Sequence, residues 1–438
     1  MLAVFAGLMG TALAGAFPWP VHTAQLDNGL SVRAVPMPSP GVVSVATWMK
    51  VGSRDEVDAG RTGFAHFFEH LMFYGTERTT REQRERAILA MGIDDNAWTW
   101  CDETVYTSLV PTAQLDEFLA LEADRFQHLA LTPDVVRRES GAVYGEFRKG
   151  QASPGSRLYD TMQATVFTTH TYGHSTIGHE ADIVAMPDAH AYAEAFFDRF
   201  YRPENATILV VGDVDPEALF AKVEALYGGW KPAALPRPEL PAEPAQEEER
   251  RAHVDWPSPT APRLAMGWRV PAHDPRDADL AALELAATWL LADVGPLESR
   301  LVRDEGLAFS VWGGRDDFVD PGLFRITVQA REAEDLPRIE AIVREELARL
   351  ADGPDAAALA RVQDHSRYAF LTSLDDPEAV ASTLGWSLRR DPDPTAIDAF
   401  WDAFAAATAA DVARVVRATL VEPPATVVTL THTPEDAG

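Results

Sequence analysis

Phe64-Ala65-His66-Phe67-Phe68-Glu69-His70-Leu71-Met72-Phe73 is the stretch on which the reading of the chain turns. Wound as a helix, it puts His66 and His70 one turn apart on one face, with Cβ atoms about 5–6 Å apart. At that separation both imidazoles reach a single metal ion at about 2.1 Å. Glu69, next to His70 and one turn from His66, borders the same face. It is able to act on a metal-bound water without being a ligand itself. Thr62 is the expected N-cap of this helix and Gly75 its expected stop.

The order His-x-x-Glu-His is the inverted form of a zinc-peptidase motif. With 12 His and 67 acidic residues among 438, chance supplies only about 0.05 such matches per chain. The competing reading is a surface helix with two solvated histidines, and any metal reading also needs a third ligand. Catalytic zinc takes three protein groups and leaves one position open for water. Thr132-Pro133-Asp134 reads as N-cap, helix start and first-turn acid, opening a helix over 133–149 that ends at Gly150. That helix carries Glu139 and Glu146, seven residues apart and so on one face. Glu146 stands 146 − 70 = 76 positions after the motif.

With this spacing the sequence resembles the pitrilysin/insulinase family of inverted-motif (HxxEH) zinc metallopeptidases, in its processing-peptidase-like two-domain branch. The resemblance spans nearly the whole chain. It rests on Leu26-Asp27-Asn28-Gly29-Leu30, Val51-Gly52-Ser53-Arg54-Asp55-Glu56, the run from Gly63 to Gly75-Thr76, and Asn96-Ala97-Trp98-Thr99 with Asp102, Thr104 and Tyr106. It implies a zinc-dependent endopeptidase that hydrolyses peptides or unfolded segments. His66, His70 and Glu146 would be the metal ligands for one Zn2+ per chain. Glu69 would be the catalytic general base on the zinc-bound water, with Glu139 a supporting catalytic glutamate that orients a ligand. Asn96 and Ala97 would lie on an edge strand that pairs with an extended peptide substrate.

Arg303 and Phe309 fall in the stretch that, in the family, faces the active site and contributes to substrate binding. Many relatives have a tyrosine where Phe309 stands, so that hydroxyl is absent here. The longest family members carry four repeats and this chain two, which implies a homodimer or a heterodimer with an inactive relative. The alternative is a non-catalytic scaffold or partner subunit of a peptidase-like complex, since the family includes such proteins. Metal content together with peptide hydrolysis separates the two.

Composition agrees with a globular protein, because 46% hydrophobic residues in 438 are ample for large cores. A net charge of −29 argues against nucleic acid or an anionic membrane surface as partner and favours cationic peptides. The single cysteine, Cys101, excludes an internal disulfide framework and reads as a buried thiol. The apolar first sixteen residues, ending Ala12-Leu13-Ala14-Gly15-Ala16, read as a signal peptide for export to a bacterial periplasm. If they are not a signal, the protein is cytoplasmic. They are short for a membrane span, and no later run is read as one.

The chain also reads as a diverged tandem repeat. Trp48 and Trp268 each end an apolar strand-like stretch, and Pro203-Glu204-Asn205-Ala206-Thr207 parallels Pro423-Pro424-Ala425-Thr426-Val427. The Pro- and Glu-rich segment 231–262 between the halves reads as a solvated linker. The expected domains are therefore a signal over 1–16, a catalytic zinc-binding domain over 17–230, the linker, and a second, non-catalytic domain over 263–438. The class is α/β (α+β), two homologous sandwich domains. By resemblance each has helices packed on one face of a mostly antiparallel sheet. The second half has Leu283-Glu284-Leu285-Ala286 where the first has histidines, so one chain carries one metal site. His170, His174 and His179 read as loop histidines. The glycosylation pattern at Asn205 falls at the start of a buried strand and is discounted.

Overall fold

A computed structural model describes residues 15–433. All but the last two positions of the expected signal peptide, 1–14 of 1–16, lie outside the described residues. The chain forms two compact units, each built on one sheet. One unit takes the chain up to Phe147, then His174–Leu240 and Leu371–Pro394. The other takes Arg148–Gly173, Pro241–Phe370 and the chain from Thr395.

The first unit contains β1 (His22–Gln25), β2 (Ser31–Pro36), β3 (Val42–Met49), β4 (Asp94–Thr99), β5 (Thr104–Pro111) and β6 (Ala206–Gly212). They run in the order β1-β2-β6-β3-β5-β4, antiparallel except for the parallel pair β2 and β6. In β3, Val43 to Met49 are all buried, and so is every residue of β6. Continuous burial of that kind requires cover on both faces. The motif helix, Phe64–Leu71, packs beside β4 and β5. On β3 and β6 lies a helix from far along the chain, Pro377–Leu388. Gly385 sits so close there that a Cβ would come within 2.1 Å of the Trp48 ring.

The second unit repeats this plan with β7 (Arg250–Trp256), β8 (Arg263–Arg269), β9 (Ala308–Arg315), β10 (Leu323–Ala330) and β11 (Thr426–His432). Its order, β7-β11-β8-β10-β9, matches β2-β6-β3-β5-β4 strand for strand, and β7 and β11 are again the parallel pair. The expected α/β class and two-sheet repeat are therefore present. Its extra cover comes from the other half: the helix Pro154–Val166 packs on β7, β8 and β11, with Met162 Sδ 3.1 Å from where a Cβ on Gly267 would stand.

Four expectations need correction. Helices do not cover one face alone, because each sheet takes a further helix from the other half of the sequence. The compact units consequently do not follow a cut through 231–262. That segment also is not all linker: β7 lies inside it, paired with β11, and its charge-rich residues hide a strand exposed on one side. Finally, Ala278–Asp304 is a 27-residue helical run whose hydropathy of 1.4 is enough, by length and composition, to cross a membrane. Over half of its most apolar window, 56%, is buried within the protein. Leu280 to Leu283 and Leu285 to Ala287 are all buried, which is the pattern of a core helix that is apolar on every side.

Candidate metal centre

The motif helix is amphipathic in the required sense. Phe64, Phe67, Phe68 and Leu71 are fully buried, and His66, Glu69 and His70 occupy the half-exposed face. Phe68 stacks on Phe196 with ring centres 5.0 Å apart, and the Tyr106 hydroxyl donates to the Phe68 carbonyl at 3.3 Å. Each such buried side chain stabilises by about 1.5–3 kcal/mol, which sets the rotation of the helix and so the direction of its three polar groups.

The cap differs from expectation. The N-cap is Gly63, whose φ of 88° is left-handed and suits glycine. With no side chain of its own, Gly63 leaves capping to Glu56, whose carboxylate accepts from the N–H groups of Gly63 and Ala65, both at 2.7 Å. Burial drives the Glu56 pKa well up, and those two bonds oppose the rise. Thr62 is used elsewhere: its hydroxyl donates to Asp182 Oδ2 at 2.6 Å. At the other end the helix stops at Leu71, and Gly75 lies beyond it, where a Cβ would press within 2.8 Å of the Thr79 carbonyl.

Glu146 comes from the helix Pro133–Gln151. One of its carboxylate oxygens lies 3.4 Å from His66 Nε2, and the other 3.6 Å from His70 Nε2. The two imidazole centres are 4.8 Å apart. One ligand atom from each residue fits within a 4.8 Å spread, and among the described residues no other group of His, Cys, Asp and Glu meets that standard. Two imidazole nitrogens and a carboxylate are a donor set that suits zinc and leaves room for water.

The surroundings shift these groups in different directions. Burial, assisted by the neighbouring His70, lowers the His66 pKa to about 4, which leaves its nitrogen lone pair available. Glu139 accepts from His70 Nδ1 at 2.8 Å, which orients that ring and turns Nε2 toward Glu146. Burial works against protonating His70, but the Glu139 bond and the charges of Glu146, Glu139 and Glu69 outweigh it and raise its pKa. The same bond pulls Glu139 below the usual carboxylate range. Glu69 stands apart from the ligand atoms. Its Oε2 accepts from the Thr99 hydroxyl at 2.6 Å, and burial raises its pKa against the effect of that bond.

Asn96 and Ala97 lie on β4, which pairs only with β5 and is therefore an edge strand. The Ala97 N–H is held by the Asn96 side-chain oxygen at 2.9 Å. Thr99 and Glu56 are working parts that sequence reasoning quoted without giving them a role. The available signals were strand alternation, which puts Thr99 on the Ala97 side of β4, and an acid seven residues before Gly63.

Arg303 and Phe309 belong to the other unit. The Arg303 guanidinium donates to the Asp293 carbonyl at 2.7 Å and also to Ser299 Oγ. Phe309 is half exposed on β9, with the Arg331 guanidinium 4.5 Å from its ring centre. His170 bonds Asp320 at 3.1 Å, and His174 lies 3.8 Å from Glu56. Cys101 and Asn205 are buried.

Comparison with known proteins bears on these residues. Residues 36–180 match the insulinase family, peptidase family M16, and residues 191–365 match the peptidase M16 inactive domain. The zinc protease PqqE of Helicobacter pylori is 29% identical over 387 residues, 83% of this chain and 82% of that protein. The mitochondrial-processing peptidase subunit beta of Blastocladiella emersonii is 25% identical over 419 residues, 90% and 85% of the two chains. Among solved structures, a protease from Helicobacter pylori superposes with a TM-score of 0.86 at 27% identity, over 94% of this chain and all of that one.

Proposed function

The chain belongs to the insulinase family, peptidase family M16, and on that premise we propose that it is a zinc-dependent endopeptidase of peptides or unfolded segments. The observation that carries the reading is the convergence of His66, His70 and Glu146 on one face, with Glu69 beside them but bonded elsewhere. His66, His70 and Glu146 would hold the zinc. Bound there, zinc supplies Lewis acidity that makes a water nucleophilic near neutral pH and polarises a carbonyl.

The remaining work falls to the chain's own residues. Glu69 takes the proton of the attacking water and returns it to the leaving amine. Thr99 holds one Glu69 oxygen, so the other is left to accept that proton. Glu139 keeps the His70 ring in one orientation through Nδ1. The free edge of β4 takes an extended peptide by strand addition at Asn96 and Ala97. A peptide pairing there would displace the Asn96 side chain from the Ala97 N–H.

Two further parts of the reading concern context. The N-terminal apolar stretch supports export to a periplasm. The periplasmic protease PqqL of Escherichia coli shares the fold at 21% identity, TM-score 0.79, and this chain spans 48% of its length. A second copy, or an inactive relative, would supply the missing half.

The test is hydrolysis of an internally quenched peptide by the purified protein, followed through chelation and zinc restoration. Activity that disappears with chelator and returns with zinc supports the proposal. A protein that binds zinc yet cleaves no unfolded chain would instead be a scaffold subunit.

A further inference from the structure

In the second unit the repeat places a cavity between the pair of helices that corresponds to the metal-cluster helices of the first. In the second unit the helix Ala278–Leu291 follows β8 as the motif helix follows β3. The helix Ala356–Thr372 is the second helix after β10, as Pro133–Gln151 is the second after β5. Between those two helices and the Gly313-Gly314 pair of β9 lies a cavity of about 720 Å³. That is within the range of small-molecule sites.

Trp289, Leu291 and Val362 give the cavity an apolar wall. Arg361 and His365 also line it, one turn apart on the same helix and so on the same side. Among the described residues neither side chain has a hydrogen-bond or ion-pair partner. Both side chains are exposed at the mouth of the cavity, so they are open to a ligand. The lining acids are differently placed. Glu284 Oε2 is 3.8 Å from the Arg315 guanidinium, which offsets its charge. Asp293 is exposed. At Gly314, φ is 145° and an added Cβ would meet nothing, so this wall stays open.

We propose that this cavity binds the C-terminal carboxylate of a peptide ending in an apolar residue. Arg361 and His365 donate to the carboxylate, and Trp289, Leu291 and Val362 take the side chain. A guanidinium stays protonated at neutral pH and matches a carboxylate with two parallel bonds. The apolar wall calls for a ligand with an apolar part, which inorganic phosphate lacks. The exposed Asp293 carboxylate disfavours a ligand of high negative charge. The helix that brings Glu139 and Glu146 to a cation in the first unit thus has a counterpart that brings Arg361 and His365 to an anion. The inference stands whether or not the first unit hydrolyses peptides.

The experiment is calorimetric titration of the full-length protein with N-acetyl-leucine, N-acetyl-leucinamide and decanoate. The acid should bind roughly tenfold or more tighter than the amide, because a charge-assisted pair is lost with the carboxylate. Arg361→Ala should lose the same factor and Arg361→Lys only part of it. A carboxylate captured at the metal cluster would ignore both substitutions. Equal binding of acid and amide by the unaltered protein overturns the proposal, even if a variant fails to fold. So does an unchanged affinity in a folded Arg361→Ala. Decanoate bound tenfold more tightly than N-acetyl-leucine would mark a fatty-acid site and overturn the peptide reading.

Discussion

The two units share one topology and place different side chains between corresponding helices. In the first unit, a motif helix and the helix Pro133–Gln151 bring together His66, His70, Glu139 and Glu146. In the second, the corresponding helices present Glu284, Arg361 and His365, and no metal-ligating group forms among the described residues. Strand order and the parallel pair are the same in both. The backbone therefore supplies a crevice, and a handful of side chains decides what it holds. The amphipathic contrast between the two helices shows how. Both helices bury more than half of their residues, but the unburied face of Phe64–Leu71 is His66, Glu69 and His70, whereas that of Ala278–Leu291 includes Trp289 and Leu291.

The comparison is broken most sharply at Glu69. Glu69→Gln should keep zinc and lower kcat by several orders of magnitude, on the order of 10³ or more, because proton transfer is lost while the ligands remain. A variant that keeps more than about a tenth of wild-type kcat rules Glu69 out as the base. Next come the two glutamates of one helix. Glu146→Gln should empty or greatly weaken the site, and Glu139→Gln should cost roughly 10–100-fold in affinity or activity. Equal zinc occupancy in the two variants, measured by elemental analysis, would remove Glu146 from the ligand set.

A smaller effect sharpens the boundary between the units. Gly385 lies late in the sequence but packs on Trp48, so Gly385→Ala should destabilise by about 1–3 kcal/mol through overpacking. Hydrogen exchange should then show lost protection in β3 and little change in β8. Equal loss in both strands would contradict the assignment of Leu371–Pro394 to the first unit.

The smallest effect is a pH dependence. Glu103 is buried and ion-paired with Arg389, and burial, opposed by that arginine, raises its pKa from 4.5 to about 7. Its folded-state pKa is the higher one, so its contribution is full below about 4.5 and is lost as pH rises through about 7. The melting temperature should fall by a few degrees between pH 5 and 7.5, and Glu103→Gln should flatten that slope. An unchanged slope in the variant would show that Glu103 is ionised in the folded protein throughout.

Much of this was legible in sequence because it depends on short-range periodicity. The motif, the spacing to Glu139 and Glu146, and the Trp48–Trp268 parallel all survive in the structure. What escaped depends on contacts between distant residues. An acid seven residues before Gly63 is only a weak signal that Glu56, rather than the adjacent Thr62, caps the motif helix, because the chain between them must turn back. That Pro154–Val166 packs on the sheet of the later half of the sequence, and Pro377–Leu388 on that of the earlier half, is likewise invisible to a reading that expects neighbours in sequence to pack together. Strand β7 was hidden because its charged positions alternate with only one buried residue, Val254. Ala278–Asp304 has the length and composition of a span, and only its burial among distant residues marks it as a core helix.

The central claim is that the His66, His70 and Glu146 cluster of the first unit, and not the cavity of the second, holds zinc. Elemental analysis of the purified chain and two variants tests it most directly. We expect one zinc per chain in the unaltered protein, loss of that zinc in His66→Ala, and full retention in Arg361→Ala. Zinc held equally by His66→Ala and the unaltered protein would contradict the account.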